Sequence, residues 1–89
     1  MSDNAVKLIS KLHNDVSKVV SCWPNCYVSY YNYSATENGE NFTIEVTNES
    51  GLEFMLHTDV DRLDYDYDST LAAMATLIEQ HCGVGYIGV

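Results

Sequence analysis

Two neighbouring segments alternate apolar and polar residues, with Met55 the one exception, and they constrain the fold more than any other feature of the chain. In residues 41–47, Phe42, Ile44 and Val46 fall on one side and Thr43, Glu45 and Thr47 on the other. In residues 52–57, Leu52, Phe54 and Leu56 point inward while Glu53, Met55 and His57 point outward. A period of two marks a strand with one face buried and one face wet. Asn48-Glu49-Ser50-Gly51 between them carries turn chemistry, so the pair reads as a hairpin. Its apolar face must be covered by other elements.

A third strand precedes this hairpin. Residues 26–35 place Tyr27, Tyr30, Tyr31 and Tyr33 within a short run, which favours β structure. Asn38-Gly39 then gives a strong hairpin signal. A two-residue Asn38-Gly39 loop pairs Tyr33 with Ile44 and Tyr31 with Val46. That register turns Tyr27, Tyr31 and Tyr33 to the core and leaves Val28 and Tyr30 outside. A bulge or a longer loop reverses the arrangement. In either case at least one tyrosine shares the outer face with Glu45, Glu53 and His57.

Helices flank the strands. Ala5, Leu8, Ile9, Leu12, Val16, Val19, Val20 and Trp23 recur at helical steps over residues 4–23. Ser2, Asp3 or Asn4 can cap that helix, and Pro24 ends it. A second helix is predicted over residues 69–82, capped by Asp66 or Asp68, with Leu71, Met74, Ala75, Leu77 and Ile78 as its apolar stripe and Gly83 as its stop. Residues 84–89 mix glycine with apolar residues and can close the sheet as a short fourth strand. The expectation is one α+β domain, residues 1–89: helix, three-stranded antiparallel meander, helix, with that optional strand.

Hydrophobic residues make up 46% of the chain and Pro24 is its one proline, which argues against disorder. No run approaches the length of a membrane span. The opening Met1-Ser2-Asp3-Asn4 lacks a basic start followed by an apolar run, and reads as no secretory signal. The expected location is therefore the cytoplasm, and the triplets at Asn32, Asn41 and Asn48 read as ordinary turn and strand chemistry. Three cysteines, Cys22, Cys26 and Cys82, read as buried reduced thiols.

Net charge is −9 and unevenly spread. Residues 1–23 hold Lys7, Lys11 and Lys18 against Asp3 and Asp15, while residues 24–89 hold eleven acids against Arg62 alone. Such a field repels nucleic acids and anionic membranes and attracts basic protein surfaces.

Five of those acids, Asp59, Asp61, Asp64, Asp66 and Asp68, crowd into an acidic connector with Tyr65 and Tyr67 interleaved. As an EF-hand loop begun at Asp64 it fails, with Ser69 in the glycine position and Ala75 in place of the bidentate glutamate. A loop begun at Asp59 fails at Leu63 and Thr70. As an extended segment, Asp64, Asp66 and Asp68 would repeat at about 6.6 Å, comparable to successive phosphates of a nucleic-acid strand. A capping loop that keeps the chain soluble explains the same residues. The cysteines lack the paired turns of a zinc site, and the motifs of nucleophilic, metalloprotease and phosphate-binding sites are absent. No cofactor, metal site or catalytic residue is assigned.

In size, charge and element order the chain resembles the small acidic inhibitors encoded by phages and mobile elements, the anti-CRISPR and DNA-mimic proteins among them. The resemblance covers the whole chain, rests on no motif and transfers no residue. It implies an inhibitor that docks on a basic, nucleic-acid-binding surface of a host defence or nucleic-acid enzyme, without touching nucleic acid or membrane itself. The residues expected to carry that contact are Asp59, Asp61, Asp64, Asp66 and Asp68, with Tyr65 and Tyr67 as anchors and Glu45, Glu49 and Glu53 extending the patch. Two alternatives stand beside it: a homodimer or subunit contact made by a sheet edge or the outer tyrosines, and a metal-dependent sensor built on the Asp cluster.

Overall fold

The N-terminal stripe folds as α1 (Asp3–Val20) in the computed structural model, which describes the backbone of residues 3–87 and the side chains of residues 3–82. Ala5, Ile9, Leu12, Val16 and Val20 are buried along one face of it. Ser2, one of the three candidate caps, lies outside the described residues. The helix stops before Trp23 because Pro24 disfavours the helical conformation in the residue preceding it. Cys22 and Trp23 instead donate their N–H groups to the Val19 and Val20 carbonyls, the tighter spacing of a closing turn. Trp23 still packs against the core.

Three strands follow, β1 (Cys26–Thr36), β2 (Gly39–Asn48) and β3 (Glu53–Asp59), in an antiparallel sheet of order β1-β2-β3. The second hairpin has the expected register, with Ile44 opposite Leu56 and Val46 opposite Phe54. Leu52, expected inward, is exposed and belongs to the turn. The Asn48 side-chain oxygen accepts the N–H groups of both Ser50 and Leu52 at 3.0 Å, and Gly51 takes φ +83°, a conformation glycine adopts without strain.

In the first hairpin the loop is Glu37-Asn38, not Asn38-Gly39. Gly39 pairs with Thr36 and takes φ +121°. Tyr33 therefore faces Phe42 and Tyr31 faces Ile44, a slip of two residues that keeps both on the helix side of the sheet. Below them Ser29 is an extra residue in a bulge between Val28 and Tyr30. One extra residue inverts the alternation, so Val28 turns in against Val46 and Tyr27 turns out opposite Thr47. The expectation that Tyr27 faces the core and Val28 the solvent is corrected by this bulge.

The acidic connector is not extended. Residues 60–65 form α2 (Val60–Tyr65), whose Val60 and Leu63 are buried. After Asp66 the chain enters α3 (Tyr67–Ile87), which buries Met74, Ile78 and Cys82. Leu77, expected on the buried stripe, is exposed. The helical backbone runs through Gly83 to Ile87, so residues 84–87 do not close the sheet, and residues 88–89 lie outside the described residues. A glycine inside a helix costs only about 1 kcal/mol, so it permits a stop without imposing one.

The result is two layers. Phe42, Ile44, Val46 and Leu56 present the apolar face of the sheet to the buried residues of all three helices. Among the described residues nothing covers the opposite face of the sheet. β2 is paired on both sides and has no slack, whereas the bulge in β1 already contains one residue too many. Deleting Ser29 should therefore keep every facing pair and cost about 1 kcal/mol for its lost hydrogen bonds. Deleting Thr43 should invert half of β2 and cost more than about 2 kcal/mol. Urea denaturation of the two deletions checks the contrast.

Candidate functional site

The Asp cluster divides into residues that hold the fold and residues that face solvent. Asp59 is the N-cap of α2, its Oδ1 accepting the Arg62 N–H at 2.6 Å. Asp66 does the same for α3: Oδ1 accepts the Ser69 N–H at 3.2 Å, and its carbonyl oxygen accepts the Thr70 hydroxyl at 2.9 Å. Asp64 accepts the Asn4 amide at 3.2 Å and so touches α1. Asp61 and Asp68 are exposed in the first turns of α2 and α3, where a carboxylate suits the helix dipole. A helix rises only about 1.5 Å per residue and rotates its side chains, so these carboxylates fan outward instead of lining up. The regular phosphate-like spacing expected of an extended segment is not formed.

The two tyrosines of this stretch have opposite roles. Tyr65 is 91% exposed at the end of α2. Tyr67 is tied into the fold: its hydroxyl donates to Asp15 Oδ2 at 2.5 Å, and Lys11 Nζ lies 4.2 Å from its ring centre. Burial, then the bond to Asp15, push the Tyr67 phenol well above its ordinary value. The folded protein thus holds that proton at pH values where the unfolded chain releases it, so this contribution is complete below about pH 10 and declines above it. Tyr67→Phe should lower stability by about 1–2 kcal/mol at neutral pH. It should also flatten the alkaline fall in melting temperature, read by thermal denaturation between about pH 8 and pH 11.

The open face of the sheet gathers the remaining candidates. Across the three strands, Tyr30, Glu45 and Met55 form one row, and Tyr27, Thr47 and Glu53 form the next. Tyr27 is 55% exposed, Tyr30 48% and Met55 51%. The bulge seats Ser29 so that its hydroxyl donates to Glu45 Oε1 at 2.9 Å and lies 2.7 Å from the Thr47 hydroxyl. In the third row Thr43 bonds His57 at 3.0 Å. Residues 26–59 carry six acids and no Lys or Arg. Glu49 and Glu53 are exposed at one end of β3, and Asp59 stands at the other end, about 20 Å away along the strand. The expected acidic patch is thus two separated groups with Glu45 between them. Tyr27, Tyr30 and Met55 were not among the expected contacts. Alternation alone places Met55 outside, but nothing in the residue pattern announces the bulge that brings Tyr27 out beside it.

Elsewhere a groove of about 460 Å³ separates β3 from α3, with Leu56, Met74 and Leu77 on its apolar side and Arg62, Tyr65 and Asp66 on its polar side. Cys26 and Cys82 are both buried, and burial first, then the neighbouring Cys26 thiol, push the Cys82 thiol up to about 12. A thiol held protonated is a poor nucleophile. Cys22, expected to be buried, is exposed. His81 stacks on Phe54 with ring centres 4.2 Å apart. Among the described residues no three His, Cys, Asp or Glu side chains converge on a point that could hold a metal ion. No helix among them is long and apolar enough to cross a membrane. Comparison with protein families, with characterised proteins and with solved structures yields no match.

Proposed function

We propose that the chain is a non-catalytic binding protein that docks the open face of its sheet on a basic protein surface and inhibits the partner by occupying it. The observation that carries this is the composition of that face. Two tyrosines and a methionine are left half-exposed in adjacent rows, with Glu45 and Glu53 among them and no Lys or Arg on any strand. Tyrosine and methionine supply the contact area typical of the centre of an interface. The carboxylates select Lys- and Arg-rich partners and speed encounter. Asp61, Asp64 and Asp68 add to the same negative field from the helical end, and Tyr65 adds exposed aromatic surface there. The three lysines sit on α1, in the layer behind the sheet, so they do not oppose the approach of a basic surface. Lys/Arg-rich surfaces of this kind are the footprint of nucleic-acid-binding proteins, which makes such a protein the proposed target.

The test begins with capture of the partner on immobilised protein, followed by affinity measurement with the purified partner. Affinity should fall at least tenfold between about 50 and 300 mM salt, and Tyr30→Ala and Glu53→Lys should each weaken it about tenfold or more. Nucleic acid should compete for the partner. Binding indifferent to salt and to both substitutions would contradict the proposal.

A further inference from the structure

The two edges of the sheet differ in a way that the face does not explain. β3, one edge, carries Glu53, His57 and Asp59 within its seven residues. β1, the other edge, runs eleven residues, Cys-Tyr-Val-Ser-Tyr-Tyr-Asn-Tyr-Ser-Ala-Thr, without a charge, a proline or a glycine. Sheet proteins usually blunt an edge with charge, proline or shortness, because its unpaired backbone groups otherwise recruit another strand. Here β1 keeps one bulge and none of the other devices. Tyr27, Tyr30 and Tyr31 are all about half-exposed along it. On the helix side, Tyr31 rests against His13, with ring centres 4.4 Å apart. Beside the first residues of the strand, a cleft of about 330 Å³ lies between Ser17, Val20 and Ser21 of the α1 end and Cys26–Val28.

From this edge we infer that β1 pairs antiparallel with β1 of a second copy, joining two sheets into one of six strands. A second copy fits for a reason of charge. Each chain carries −9, so most of its surface repels an identical chain, and pairing through β3 would set carboxylates against carboxylates. β1 is the strand on which two such chains can meet without opposing like charges. Antiparallel pairing also satisfies a two-fold axis, so the same residues serve both sides. A two-fold axis at Tyr31, the middle of the strand, sets the two Tyr31 side chains together, with the Ser29 bulge of each copy interrupting the ladder on either side. The small residues Ser34, Ala35 and Thr36 of each copy then reach the cleft beside Cys26–Val28 of the other. The outer sheet face stays open in both copies, so the dimer is independent of docking on a basic partner and would present that face twice.

Salt distinguishes the two contacts, because they respond in opposite directions. Sedimentation equilibrium of the full chain should show a monomer–dimer equilibrium that tightens as salt rises from about 50 to 300 mM, since screening relieves the repulsion between two acidic chains. Tyr31→Glu and Tyr31→Lys should each weaken the dimer at least tenfold, because either places like charges at the axis. An equimolar mixture of the two should recover association. Glu53→Lys, on the far edge, should leave the dimer intact. Circular dichroism melting shows that each variant remains folded. A chain that stays monomeric at about 200 µM in high salt would overturn the inference, as would a dimer that tolerates both Tyr31 variants while folded.

Discussion

The structure depends on the burial of one sheet face under α1 and α3. Phe42, Ile44, Val46 and Leu56 meet Leu12 and Val16 of α1, Leu63 of α2 and Ile78 of α3 in a single core. Each such side chain contributes about 1.5–3 kcal/mol when fully buried, and in a chain of 89 residues there is little else to offset the entropy of folding. Both long helices are needed on the same side to complete that core. Among the described residues no element covers the other face, and its side chains are free to serve an interface.

The composition of that open face turns on Ser29. Above it the pairing of β1 with β2 keeps Tyr31 and Tyr33 on the helix side. Below it the inverted alternation brings Val28 into the core and releases Tyr27 outward. A regular strand would have left Val28 exposed and buried a tyrosine hydroxyl at the rim of the core. The bulge instead places the aliphatic residue inside and gives the outer face its second tyrosine. The Ser29 hydroxyl, bonded to Glu45 and Thr47, fixes the position of the carboxylate between them.

Much of this was legible in the residues. The period of two over 41–47 and 52–57 foretold a half-covered sheet, and the helical stripe of α1 foretold its cover. The exceptions have local causes. Leu52 fits the alternation but is claimed by the Asn48 turn. Asn38-Gly39 signals a hairpin, yet glycine's positive φ is used at the first paired position and not inside the loop. The connector looked extended because Asp alternates with Tyr from Asp64 to Asp68. Two of those carboxylates cap helices, and Val60 and Leu63 supply the buried side that a short helix needs. Capping by Asp66 was readable from its position before the helix. The Tyr67 contact with Asp15 was not, since the two residues lie 52 positions apart and meet only through packing of α3 on α1.

Charge and shape therefore concur on one surface, a tyrosine- and methionine-bearing sheet set with carboxylates, more than on the Asp-rich stretch that dominates the sequence. The most direct test is an amide chemical-shift titration of the labelled protein with a short oligo-arginine peptide. The account predicts that the largest shifts fall on Tyr27, Tyr30, Glu45, Glu53 and Met55. Shifts that follow carboxylate density instead, concentrated on Asp61, Asp64 and Asp68 with the sheet unmoved, would contradict it.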